Sequence, residues 1–304
     1  MRGVLVLLLL VVVLLVSSCQ QGTQSTNVGG IDIEFIENQP PVTLREDASF
    51  TVGLYLKNNL PKAVQNIEVC VQDSFRDGNG GIFGKECKSV DISAADVSGD
   101  TISPEIEQVY FPIGEGGYVY DNLGIGIDSV VVLVDISYFL NTISTVSDFC
   151  LKEDPGYEVE EMDCDPNKIF TGSDIRNQIA PIIVDRVKTS VVNEGYQNRV
   201  YSEIYFKKAV GGEVLQSDFY SGEDSTMPLV GYSITLASGE VFECDSDEEG
   251  FLVFDDLVEV LECNAPVVLS SEWENSAINI ELSYNYGIGA NREISFKKSG
   301  EELI

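Results

Sequence analysis

From Ile31 onward, apolar and polar residues take turns along the chain. Ile31, Ile33 and Phe35 alternate with Asp32 and Glu34. Phe50, Val52, Leu54 and Leu56 alternate with Thr51, Gly53, Tyr55 and Lys57. A turn at Asn58-Asn59-Leu60-Pro61 then leads into Ile67, Val69 and Val71. A period of two marks strands with one wet face and one buried face. No long helical pattern competes, and Ser173–Ile179 is long enough for only a turn or two. The pattern predicts an all-β chain whose antiparallel strands, joined by Gly/Pro/Asn turns, build immunoglobulin-like β-sandwiches.

The pattern also repeats. Val132, Val134, Ile136 and Tyr138 match Ile278, Ile280, Leu282 and Tyr284 at constant offset, with Tyr284 in the apolar phase of its strand. Leu54-Tyr55-Leu56-Lys57 resembles Ile204-Tyr205-Phe206-Lys207, and Ile31–Phe35 has its counterpart in Ile182–Val187. Two copies of one strand-rich unit explain this. The reading is two tandem sandwiches, residues 31–152 and 181–304. Between them lies a linker at 153–180 that carries Pro155-Gly156, an acidic run and Cys164.

The first thirty residues are of another kind. Met1-Arg2-Gly3 precedes an uninterrupted apolar run from Val4 to Val16, followed by Ser17-Ser18-Cys19. One positive charge, a short apolar core and small residues before a cut are the marks of a secretory signal peptide, here residues 1–18. The run is shorter than the roughly 20 apolar residues of a membrane span. Its ending resembles a lipoprotein lipobox, which implies that the thiol of Cys19 receives a lipid. Residues 19–30 (CQQGTQSTNVGG) are polar and unpatterned and read as a flexible tether.

Six further cysteines lie in an oxidising compartment if the leader is a signal. Their order suggests the pairs Cys70–Cys87, Cys150–Cys164 and Cys244–Cys263. Each clasp would stabilise by about 3 kcal/mol in the chain-entropy picture. Strict alternation puts Cys70 on a wet face with Glu68, and Cys150 with Asp148 and Lys152, as suits bridges better than core thiols. Structural zinc is the rival. It lacks C-x-x-C spacing and any histidine.

Composition narrows the function. Fifty acidic against 18 basic residues give a formal net charge of −32, which argues against nucleic acid as a partner. A solvated, self-repelling surface accounts for the acidity, with adaptation to high salt or capture of divalent cations as sharper readings. The absence of histidine removes Ser-His-Asp and Cys-His catalysis and most catalytic zinc sites. The chain therefore reads as no enzyme; a carboxylate-based glycan hydrolase is a low-ranked alternative. One metal motif stands out. Asp245-Ser246-Asp247-Glu248-Glu249-Gly250 places oxygen ligands at Asp245, Asp247 and Glu249 of a calcium loop, with glycine sixth and Asp256 twelfth. Its rival is an acidic turn between Cys244 and Cys263.

The lipobox, the tether and the copies that begin Phe35-Ile36-Glu37-Asn38 and Ala180-Pro181-Ile182-Ile183-Val184 resemble archaeal and other prokaryotic surface lipoproteins with tandem immunoglobulin-like, adhesion-related (CARDB-like) domains. The resemblance implies a protein held on the outer face of the cell membrane by its N-terminal lipid. It would serve adhesion, envelope structure or binding of other surface proteins. An accessory subunit of a membrane-bound complex is the alternative. No active site is inherited.

Overall fold

The computed structural model describes residues 29–297 apart from 46, 76–79, 100, 121–122, 124–126, 153–164, 196, 217–226, 247–249, 268 and 270–272. Apart from one 3-10 turn at Gly172–Asp174, every regular element among these residues is a strand. The first half supplies β1 (Ile31–Phe35), β2 (Thr43–Arg45), β3 (Ser49–Phe50), β4 (Val52–Asn58), β5 (Val64–Asp73), β6 (Glu86–Ile92), β7 (Asp96–Ser98), β8 (Thr101–Ser103), β9 (Glu105–Phe111), β10 (Tyr118–Val119) and β11 (Ser129–Lys152). The second supplies β12 (Ile169–Thr171), β13 (Ile175–Asn177), β14 (Ile182–Asn193), β15 (Asn198–Lys208), β16 (Gly212–Val214), β17 (Leu229–Leu236), β18 (Glu243–Asp245), β19 (Phe251–Val253), β20 (Val258–Val267) and β21 (Trp273–Lys297).

The repeat becomes visible as topology. In the first half β1, β4 and β9 form a three-stranded sheet, and in the second β14, β15 and β20 form the centre of a five-stranded one in the same order. Strands of both halves join a single nine-stranded sheet of order β19-β17-β21-β11-β5-β6, flanked by β13, β16 and β2, while β3 with β10 and β7 with β8 form two small two-stranded sheets. Its middle is the antiparallel pair of the two longest strands, β11 of 24 residues and β21 of 25. The pair runs from Ser129↔Ser295 to Lys152↔Trp273.

Val132–Ser137 pair with Asp73–Glu68 of β5, while Ile278–Ser283 pair with Leu236–Gly231 of β17. The two pairings are separated by the same 146 positions as the sequence repeat (278 less 132). The copies are thus related by a local two-fold axis through the pair Phe139↔Asn285, which are themselves 146 positions apart.

Alternation explains how the shared sheet packs. Val130, Val132, Val134, Ile136, Tyr138 and Leu140 of β11 are buried, as are Ile278, Ile280, Leu282, Tyr284 and Tyr286 of β21. These form the inner face, covered by the three-stranded sheet at one end and the five-stranded sheet at the other, within one continuous core. The same contact recurs in each half. The backbone N–H of Ile31 donates to the Tyr138 hydroxyl at 3.2 Å, and that of Ile182 donates to the Tyr284 hydroxyl at 3.3 Å. Each hydroxyl satisfies a buried donor at the start of its copy, where an unmade bond would cost about 1–3 kcal/mol.

Both long strands cross from one sandwich into the other. Phe149 of β11 sets its ring 6.2 Å from Phe170 of β12, and Phe296 of β21 sets its ring 5.1 Å from Tyr120 in the first half. Of the linker at 153–180, the described residues include β12 and β13, which pair with β14 and β11. Residues 153–164 lie outside the description.

Two cysteines are more buried than a wet face implies. A bulge between Val146 and Phe149, with Asp148 at φ 58°, shifts the phase of β11. The extra residue turns Phe149 and Leu151 inward and leaves Cys150 between them in the outward phase, where it is nonetheless buried. Cys70 keeps the outward phase yet is only 2 % exposed. Its sulfur is bonded to Cys87 directly across β5 and β6, and Cys244 is bonded to Cys263 across β18 and β20. Cys150 is also disulfide-bonded; Cys164, its expected partner, and Cys19 lie outside the described residues.

Candidate functional site

The outer face of the shared sheet carries the residues of opposite phase. On β11, Asp135, Phe139, Asn141 and Ile143 are exposed and Ser137 is half-buried. On β21, Glu281 is exposed, and Ser283 and Asn285 are half-buried. No second sheet covers this face among the described residues. It is furrowed instead by three adjoining depressions of about 740, 570 and 650 Å³. The first two share Glu68, Ser137 and Leu215; the second and third share Lys62, Phe139 and Asn141. Together they make one open trough from Asp135 to Ile143, about 26 Å long at the ~3.3 Å rise of a strand.

Its walls arise from departures from regular pairing. On the β11 side, β5 pairs as far as Ser137 and β13 begins at Ser144, leaving a gap beside residues 138–143. Lys62 reaches into it and donates to the backbone oxygen of Asn141, and burial lowers the pKa of its ammonium. Gln178 fills the far end, where its Oε1 accepts from the Ile143 N–H at 3.2 Å. The matching gap on β21 is closed by a strand: β16 pairs with residues 286–288, and the Leu215 N–H donates to the Asn285 oxygen at 2.9 Å. Gly287 permits that approach, since a Cβ there would lie 2.8 Å from the Leu215 side chain. At the other end Gly231 leaves room for the Ser283 hydroxyl, which lies 2.6 Å from where its Cβ would be, with the Phe251 ring in ordinary contact beyond.

The residues nearest the two-fold axis (Phe139, Asn141, Asn285, Ser283, Ser137) are uncharged amides, hydroxyls and one aromatic ring. One cation, Lys62, joins them beside Asn141; the other formal charges, on Glu68, Glu281, Asp135, Glu213 and Lys85, sit toward the margins. The three carboxylates at the β5–β16 end, Glu68, Asp135 and Glu213, are exposed.

The outer face of the five-stranded sheet behaves differently. Its cations are engaged locally: the Arg186 guanidinium lies 3.9 Å from the Tyr205 ring centre, and Lys188 pairs with Glu203 at 2.6 Å.

Of the calcium ligands anticipated from sequence, Asp247 and Glu249 lie outside the described residues. Asp245 ends β18 and Asp256 follows β19, both exposed. The Asp256 N–H donates to Glu259 at 3.0 Å. The segment joins strands of two different sheets, because β18 pairs with β20 and β19 pairs with β17. An EF-hand loop instead sits between two helices. Among the described residues, the one grouping of metal-ligand types is Glu68 with Cys70 and Cys87, whose two sulfurs are bonded to each other. No helix among them is long and apolar enough to cross a membrane.

The sequence could not single out the trough, because Phe139, Asn141 and Asn285 read there only as the wet phase of two strands. The readable signal was the constant offset, which pairs Phe139 with Asn285. No protein-family model and no curated protein matches the chain.

Proposed function

We propose that this is a lipid-anchored, non-catalytic surface protein that holds a rigid binding face away from the outer leaflet of the cell membrane. One observation carries the reading. The inner face of the shared sheet is covered by two sheets, the outer face is open, and the chain enters from the covered side. Gly29, the first described residue, packs where an added Cβ would meet Ile179 and Ala180, at the seam between the halves. Ile31 follows immediately, under Tyr138 on the inner face. Ten peptide steps from Cys19 to Gly29 reach at most about 35 Å. An anchor at Cys19 would therefore hold the molecule by its waist, covered side toward the lipid and trough outward. Adhesion, envelope structure or partner binding would all use that face, as would docking of an accessory subunit onto a membrane complex.

In cells fed a labelled fatty acid, the wild-type chain should carry label and stay with the membrane fraction. Cys19→Ser should lose the label and appear in the medium. An unlabelled wild-type chain, or a membrane-bound Cys19→Ser variant, would sink the anchoring half of the reading.

A further inference from the structure

We infer that the trough on the outer face of the shared sheet is a binding site for an extended, neutral glycan chain. The inference rests on the reading that this face binds a partner, and names the partner's chemistry.

Three observations converge. First, the trough is open at both ends and about 26 Å long, which suits a linear polymer better than a compact ligand. Second, its centre carries no carboxylate in a chain whose net charge is −32, and its one cation, Lys62, is engaged with the backbone oxygen of Asn141. The acidic surface around it would repel a polyanion. A polycation would find only scattered carboxylates at the margins of the trough and none at its centre. Third, the polar groups are amides and hydroxyls. Asn141 and Asn285 each offer donors and an acceptor, Ser137 can do either, and the Ser283 hydroxyl, which donates to the Gly231 oxygen at 3.5 Å, can still accept. A sugar hydroxyl also donates and accepts, so these groups match it without desolvating a charge.

Two apolar surfaces complete the fit. The Phe139 ring, 39 % exposed, stands at the middle of the floor, and the Phe251 ring stands over Gly231 at one end. A pyranose ring presents an apolar C–H face and can lie on each. Protein interfaces are enriched in aromatic residues and Arg and depleted in Ser at their centres. The trough has aromatic rings too, but its lining sets Ser137 and Ser283 beside them and includes no arginine. The floor adds to the fit, because groups borne on the paired strands β11 and β21 need little ordering when a ligand arrives.

The test uses the full mature chain and calorimetric titration with neutral hexasaccharides of glucose, of mannose and of N-acetylglucosamine. At least one should bind. Phe139→Ala should weaken it tenfold or more, and Asn285→Ala severalfold, with circular dichroism unchanged in both. Tyr205→Ala, on the outer face of the five-stranded sheet, should bind as wild type does. Failure of all three sugars, or wild-type affinity in Phe139→Ala, would overturn the inference. Capture of extended peptides that is lost in Phe139→Ala would overturn the glycan class and leave the binding face standing. Release of new reducing ends from a bound sugar would overturn the non-catalytic reading itself.

Discussion

Between pH 10 and pH 12 the protein should unfold cooperatively, driven by tyrosines that the core keeps protonated. Tyr138 and Tyr284 are each 2 % exposed and Tyr120 is fully buried. Burial raises all three phenols above their usual value. At Tyr120 the Asp73 carboxylate adds to the shift, accepting the hydroxyl proton at 2.9 Å. At Tyr138 and Tyr284 the N–H groups of Ile31 and Ile182 act the other way, since they favour a phenolate, but burial prevails. Tyr286 is pushed up to about 12, by burial first and then by Glu213.

The direction of the effect follows from proton counting. Below the unfolded value of about 10, both states are protonated and the stabilising contribution is fully present. Above it the unfolded chain releases protons that the folded chain retains, so stability falls as pH rises. One unit past the unfolded value, each fully shifted tyrosine contributes a loss of at most about 1.4 kcal/mol. Three of them amount to about 4 kcal/mol at pH 11, against typical total stabilities of about 5–15 kcal/mol. Tyrosinate absorbance and far-ultraviolet circular dichroism, followed together, should show buried phenols ionising in step with loss of strand signal. Smooth ionisation of every tyrosine with the fold intact would contradict this.

Phe149→Ala should destabilise the whole molecule by about 3–5 kcal/mol, the usual loss for a buried phenylalanine truncated to alanine. Phe149 belongs by sequence to the first copy, yet its fully buried ring packs on Phe170 of the second. The shared sheet therefore transmits the loss to both halves. Urea unfolding should remain a single transition, displaced to lower denaturant with unchanged slope. Two separate transitions, with the second half unaffected, would mean that the halves fold as independent beads.

The all-β class was legible because alternation at Ile31–Phe35, Val52–Leu56 and Val132–Tyr138 records which face of each strand is buried. The duplication was legible because Tyr138 and Tyr284 occupy the same phase of the same strand. Their shared role is now evident: each receives the first amide of its copy. What alternation does not record is the neighbour. A pattern of period two fixes a strand's phase and not its partner, so nothing in Val132–Leu140 announced Arg292–Tyr284 across the ladder. Strand length misled as well, since most strands are about 5–6 residues and β11 and β21 run to 24 and 25. The bulge at Asp148 was not legible either: alternation carried on from Val146 would put Cys150 inside, and one inserted residue returns it to the outward phase. The trough is made where β5 stops short, β16 fills in and the two long strands meet.

The most direct test of the account is a photo-activatable cross-linking residue placed at Phe139 in the chain on intact producing cells, with the same residue at Tyr205 as the comparison. Cross-linking from position 139 to an extracellular partner, with none from position 205, is the predicted result. A partner captured from position 205 and not from 139 would place binding on the five-stranded sheet and contradict the account.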